Sequence, residues 1–155
     1  VLLHWGFEYE YYADPHFMVI ARELIAAGAD VIVGQGAHVL QPPEICYVNQ
    51  PDEVPGVGTC SVRTEDEDEP QRAAAVLYSL GNFGTAMGTI PCQTGMVATV
   101  TLEGRHVTGL GWAAAATVDG PDGPEIRPLQ ELLDEPDYAA EMTRLDEHLG
   151  TGWKR

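Results

Sequence analysis

The chain opens on an unbroken apolar run, Val1-Leu2-Leu3, and meets a second one at Val31-Ile32-Val33. Runs of this kind are typical of strands in a parallel sheet whose two faces are both covered. Between them Phe17, Ile20, Ala21, Leu24 and Ile25 recur at spacings of three and four, the pattern of one buried helix face. Asp14 is a good N-cap, Pro15 suits the first helical position, and Gly28 suits a left-handed C-terminal cap. Residues 1–34 therefore predict a strand, a loop, a helix and a second strand parallel to the first.

The pattern then lapses. Pro51 to Gly58 is turn-rich and Glu65-Asp66-Glu67-Asp68-Glu69 is unbroken acid, so residues 50–72 predict a solvated, mobile insertion. The acidic run lacks the spacing of an EF-hand loop. Ala73-Ala74-Ala75-Val76-Leu77-Tyr78 predicts another strand. Gly95 to Leu102 predicts a strand that turns at Glu103-Gly104-Arg105 and returns along His106-Val107-Thr108-Gly109-Leu110. Asp119 to Pro128, rich in Pro and Gly, predicts a loop. Residues 137–149 predict a helix with Asp137 as N-cap and Met142, Leu145 and Leu149 on one side. There is no internal repeat.

Length and charge narrow the function. With 155 residues, 45% of them apolar, the chain can build one modest packed domain. Its formal net charge of −16 opposes nonspecific binding to nucleic acid or to an anionic membrane surface. A phosphorylated substrate is still compatible, because bound cations can reverse the field of a site. No apolar run approaches the roughly 18–20 residues that span a bilayer. The chain has no initiator Met and begins inside a strand, so the expectation is a fragment that lacks an N-terminal part. The three cysteines, Cys46, Cys60 and Cys92, show no CxxC spacing that would mark a zinc knuckle. An exported protein would be able to pair Cys46 with Cys60; a cytosolic one would keep all three reduced.

Two histidines stand out by position. His4 follows the first apolar run and His38 lies in the loop after the second. With parallel strands, both sit at the carboxyl-terminal edge of the sheet, where open α/β sheets place their ligands. Neutral imidazole is a common metal ligand, and two from neighbouring strand ends can share one site. Gly6, Gly34 and Gly36 flank them and let backbone come close to a ligand. Gly34-Gln35-Gly36 does not continue as a dinucleotide loop, since Val39 occupies the third glycine position. Gly81-Asn82 follows a strand and reads either as a tight turn or as an amide presented to the same edge. The aromatic-acidic stretch from Trp5 to Tyr12 reads as a mixture of packing aromatics and a site-facing Glu8. His16 reads as an exposed residue of the first helical turn, His106 as a hairpin residue and His148 as a helix-end residue whose cation suits the dipole.

Four stretches in order, His4-Trp5-Gly6-Phe7-Glu8-Tyr9, Ala27 to Gly34, His38-Val39-Leu40-Gln41-Pro42 and Tyr78-Ser79-Leu80-Gly81-Asn82-Phe83, resemble the C-terminal half of the CapA family. These are poly-γ-glutamate capsule synthesis proteins, related to the calcineurin-like metallophosphoesterases. The resemblance runs from Val1 to about Phe83, interrupted by the acidic insertion, and continues loosely to about Leu110. It implies an α/β fold, the C-terminal portion of a four-layer α/β/β/α metallophosphoesterase-like sandwich. Residues 1–128 would belong to that domain, with 50–72 inserted, and 129–155 would form a C-terminal helical extension. It also implies two divalent metal ions (Mn, Fe, Zn or Mg), with His4 and His38 as ligands and Glu8 and Asn82 as catalytic residues shaping the site.

The departures are specific. Where the family reads Gly-x-His-Pro-His, this chain has Gly34-Gln35-Gly36-Ala37-His38, so one metal position is expected to be weakened or lost. The family's N-terminal Asp, Asn and His ligands are not in this chain. Two readings follow: a metal-dependent hydrolase of capsule or poly-γ-glutamate metabolism, and a catalytically degenerate scaffold or polymer-binding component. The expected partners are an anionic polymer or a phosphorylated small substrate, together with other capsule-synthesis proteins. The resemblance also implies an exported or membrane-tethered protein, anchored through a missing N-terminal segment.

Overall fold

A computed structural model describes residues 1–50, 58–66 and 68–149. The expected first unit is present: β1 (Leu2–His4), α1 (Pro15–Ala26) and β2 (Val31–Gln35), with β1 and β2 parallel and Leu2 opposite Val33. The Asp14 carboxylate accepts a hydrogen bond from the His16 amide at 2.8 Å and caps α1. Gly28, at φ +105°, ends it in the left-handed region. Ala21 and Ile25 are the fully buried residues of its inner face.

The strands β3 (Glu44–Val48), β4 (Thr59–Val62) and β5 (Arg72–Leu77) complete a five-stranded sheet in the order β1-β2-β5-β3-β4. β1, β2 and β5 run parallel; β3 opposes β5, and β4 runs parallel to β3. All six residues of β5 are buried. Ala74 and Val76 face the α1 side, while Ala73 and Ala75 face the second sheet. Small side chains at the centre let both neighbouring layers approach closely.

The second sheet is an antiparallel meander of β6 (Thr94–Glu103), β7 (His106–Gly120) and β8 (Gly123–Pro128). The hairpin turn at Gly104-Arg105 is where the sequence predicts it, but β7 continues well past Leu110. The stretch expected to be a loop from Asp119 to Pro128 instead doubles back as β8, with Gly120 opposite Gly123. Pro124 and Pro128 are tolerated because β8 is an edge strand, where a missing backbone donor faces outward.

The insertion also contributes structure. β4 falls within it and pairs with β3 so that Cys46 and Cys60 are register partners, and the two form a disulfide. Its strand signal is only four residues long and sits between turn-rich and acidic stretches, which masks it. Glu69 pairs with Arg72 and Arg105. The turn-rich residues 51–57 and Glu67 of the acidic run lie outside the described residues.

A 3₁₀ turn (Leu129–Leu132) leads to the last helix, which follows a four-residue helical turn, α2 (Ile90–Gln93), in the count and is named α3 (Pro136–Leu149). Helix α3 begins at Pro136, so Asp137 lies in its first turn instead of capping it. Tyr138, Met142, Leu145 and Leu149 share one buried cluster with Leu77, Met96 and Trp112. The C-terminal segment thus closes the core through residue 149, and residues 150–155 lie outside the described residues. No helix among the described residues is long and apolar enough to cross a membrane.

Candidate functional site

Three adjacent parallel strands deliver the candidate residues to one edge. Glu8 follows β1, His38 follows β2 and Asn82 follows β5. Trp5 sets the local geometry. Its amide donates to the Gln35 carbonyl at 2.7 Å, and its indole Nε1–H reaches over β2 to the Tyr78 carbonyl at 2.9 Å. A Cβ at Gly34 would strike the indole and the Tyr78 carbonyl, and one at Gly36 would strike the carbonyl of Trp5. The glycines are therefore required by the tryptophan that lies across them.

The loop then folds back. The Tyr9 amide donates to the Ala37 carbonyl at 2.8 Å, which brings Glu8 beside His38. Tyr9 and His38 both have positive φ, 67° and 61°. Strained non-glycine residues of this kind gather at functional sites. The Glu8 carboxylate, first among several causes, pushes the Tyr9 phenol above its ordinary range.

The protonation pattern of the site follows from hydrogen bonding. The Asn82 Nδ2 donates to the Cys92 carbonyl at 2.8 Å, which fixes the orientation of the amide. Its Oδ1 then meets His38 Nδ1 at 2.9 Å, and because an amide oxygen only accepts, Nδ1 carries the proton. Whenever the ring is neutral, Nε2 is then the lone-pair nitrogen, 3.9 Å from Glu8 Oε1. A nitrogen lone pair and a carboxylate oxygen facing each other, with the opposite ring nitrogen held by an amide, form a donor set that fits a divalent cation.

His4 is not gathered with them. It is exposed at the end of β1, opposite Gln35. Among the described residues the trio of His, Cys, Asp or Glu groups lying within 4.8 Å of one another is Glu44, Cys46 and Cys60, whose two sulfurs are joined in the disulfide.

Two concavities flank the site. One of about 660 Å³ is lined by His38 and Asn82 together with Gln35, Phe83 and Met96. The other, about 380 Å³, is lined by Tyr9, Tyr11, Val39 and Cys92, and Met87 borders both. Neither is lined by Arg or Lys among the described residues. Arg22, Arg72, Arg105, Arg127 and Arg144 each pair with a carboxylate elsewhere. Met87 escapes a reading of sequence alone, because no charge or motif marks it, while Gln35 and Tyr9 stand inside motifs that assign them no role. Gln41 stands inside a motif, yet nothing in its neighbours predicts that its side chain is buried.

A family model described as bacterial capsule synthesis protein PGA_cap matches residues 1–86, which include His4, Glu8, His38 and Asn82. The chain is 47% identical over 80 residues to "Capsule biosynthesis protein CapA" of Bacillus anthracis, covering 52% of this chain and 13% of that protein. It is 45% identical over 80 residues to "PGA biosynthesis protein CapA" of Bacillus subtilis (strain 168), covering 52% of this chain and 14% of that one. The matched stretch is thus a small part of the length of both relatives. No solved structure matches the chain significantly.

Proposed function

Because the chain belongs to the bacterial capsule synthesis protein (PGA_cap) family, we propose that it is the C-terminal portion of a metal-dependent hydrolase acting in capsule or poly-γ-glutamate synthesis. The observation that carries this reading is the His38 pair of contacts: Asn82 on Nδ1 and Glu8 beside Nε2. His38 Nε2 and Glu8 would hold a divalent ion, with His4 contributing from the neighbouring strand end if the complete protein draws it in. Such an ion supplies the positive charge and the activated water that hydrolysis of an anionic substrate needs.

The chain's own residues do the rest. Asn82 holds the ring in one tautomer, and Tyr9 and Phe83 border the space a substrate would enter. With no Arg or Lys lining either concavity among the described residues, an anionic polymer or phosphorylated substrate would depend on that metal charge. In the full-length protein this portion would complete an α/β/β/α sandwich of the metallophosphoesterase kind. The Cys46–Cys60 disulfide favours an exported protein, working beside other capsule-synthesis proteins.

Gly36 supports a second reading, a scaffold that keeps the fold and the polymer contact without turnover. Elemental analysis of the full-length protein and of His38→Ala decides between them. Metal bound in the wild type and depleted in the variant supports the hydrolase. Absence of metal from both, under conditions that load related enzymes, leaves the scaffold.

A further inference from the structure

The site loop is gripped from a part of the chain that the family match does not reach. Residues 8–12 carry Glu8 and Tyr9, and the loop has three consecutive backbone carbonyls, those of Glu10, Tyr11 and Tyr12, that accept side-chain hydrogen bonds. Gln41, only 2% exposed, donates its amide to the Glu10 carbonyl at 2.8 Å and the Tyr12 carbonyl at 3.2 Å. His148, in the last turn of α3, meets the Tyr11 carbonyl at 2.6 Å through Nε2. A carbonyl only accepts, so Nε2 is the protonated nitrogen there.

Aromatic contacts reinforce the grip. The His148 ring lies 4.3 Å from that of Tyr12 and 5.9 Å from that of Tyr11. Arg144, one turn earlier on α3, sits 4.5 Å above the Tyr11 ring. Its guanidinium is fixed by two bonds to the buried Glu141 carboxylate, at 2.6 and 2.8 Å. Arg144 Nη1 has no hydrogen-bond partner among the described residues, which leaves the ring face as its polar contact on that side.

We infer that α3 is a latch on the site loop, and that His148 and Arg144 are positioning residues that hold Glu8 against His38 through Tyr11. The latch is a statement about the loop; only the purpose of holding it, a metal site at Glu8 and His38, rests on the function proposed above. A chain segment outside the matched family region would thereby set how firmly the site is assembled, and α3 would be a place where regulation acts.

The test uses the full-length protein with His148→Ala and His148→Gln, the latter restoring an N–H donor toward the Tyr11 carbonyl. Hydrogen–deuterium exchange is read over residues 7–12, and Mn²⁺ affinity by calorimetry. The expected result is exchange about three- to tenfold faster in His148→Ala, as for loss of one hydrogen bond, with Mn²⁺ binding weakened by a similar factor and both recovered in His148→Gln. Unchanged exchange in His148→Ala overturns the latch. Faster exchange with unchanged Mn²⁺ affinity overturns the positioning role. If the wild type takes up no Mn²⁺, the metal reading fails, while faster exchange that Gln reverses still upholds the latch.

Discussion

Gly36 lies against Trp5, its φ of +130° turning the missing side-chain position straight onto the tryptophan's carbonyl oxygen. The atom that a Cβ would meet there belongs to backbone, so it cannot swing aside as a side chain could. The position where the resemblance would put a ligand histidine is closed here by the path of the chain itself. Placing a side chain there would therefore require the path of the loop to shift, which is more than the exchange of one side chain.

Gly36→His should consequently fail to restore a metal ligand. A non-glycine residue at that φ costs about 1–3 kcal/mol before the collision is counted. The expected outcome is a lower melting temperature with no gain in metal content. A stable variant that binds an additional equivalent of Mn²⁺ would show that the loop can reopen.

On the proposed reading that His38 and Glu8 hold a divalent ion, Asn82→Ala should weaken its binding while leaving both of those side chains in place. The amide fixes the ring tautomer, and loss of such an outer partner typically lowers metal affinity about 10–100-fold. Calorimetric titration of the full-length protein measures this. Equal affinities in variant and wild type would mean that His38 needs no orienting partner, and that the Asn82 contact serves packing.

The legible parts of this molecule share one property: their signals are local. The β1–α1–β2 unit announces itself through two apolar runs, a capped amphipathic helix and Gly28. The common edge of Glu8, His38 and Asn82 follows once the strands are parallel. What escaped depends on partners distant in sequence. β8 reads as loop because Pro124 and Pro128 are harmless only at a sheet edge. β4 is too short to stand out until β3 lies beside it. The hold of α3 on Tyr11 spans 137 positions, and no periodicity encodes such a contact. The same reason explains His4, whose placement at the correct edge did not bring it to His38.

The Cys46–Cys60 crosslink should add substantially to stability, since it closes a 14-residue separation between adjacent strands. Chain-entropy arguments put the contribution at about 3 kcal/mol. Urea unfolding with and without a phosphine reductant, alongside a Cys46→Ala/Cys60→Ala variant, measures it. Coincident midpoints for oxidised and reduced protein would indicate that β4 is held by packing alone.

Arg72 is the most deeply buried charged residue among the described residues, 2% exposed. It pairs with Asp30 and Glu69 at 3.1 Å each and donates to the carbonyls of Ile25 and Ala29 at 2.8 and 3.1 Å. It thus ties the end of α1 to β5 and the acidic segment. Arg72→Met should cost about 3 kcal/mol, because carboxylates and carbonyls lose their donor together. Arg72→Lys should recover only part of that, since an ammonium cannot span the fork of acceptors. Full recovery by Lys, read from the unfolding midpoint, would reduce the site to a simple charge pair.

Tyr78 gives the protein an alkaline limit. Its hydroxyl donates to Glu44 Oε2 at 2.7 Å, and Arg22 holds the other carboxylate oxygen at 3.0 Å. Burial, and then the adjacent Glu44 carboxylate, push the phenol well above its ordinary value of 10.0. The folded state therefore keeps a proton that the unfolded chain releases above that pH. The contribution of this contact is fully present below pH 10 and is lost as pH rises further, at up to about 1.4 kcal/mol per pH unit. Tyr78→Phe removes the titrating group, so it should be less stable than wild type near neutrality, by about 1 kcal/mol, yet lose stability more slowly above pH 10. Denaturant midpoints from pH 8 to 11 provide the comparison. Parallel slopes for the two proteins would mean that the Tyr78 proton is not held by the fold, and that the alkaline loss arises at other tyrosines.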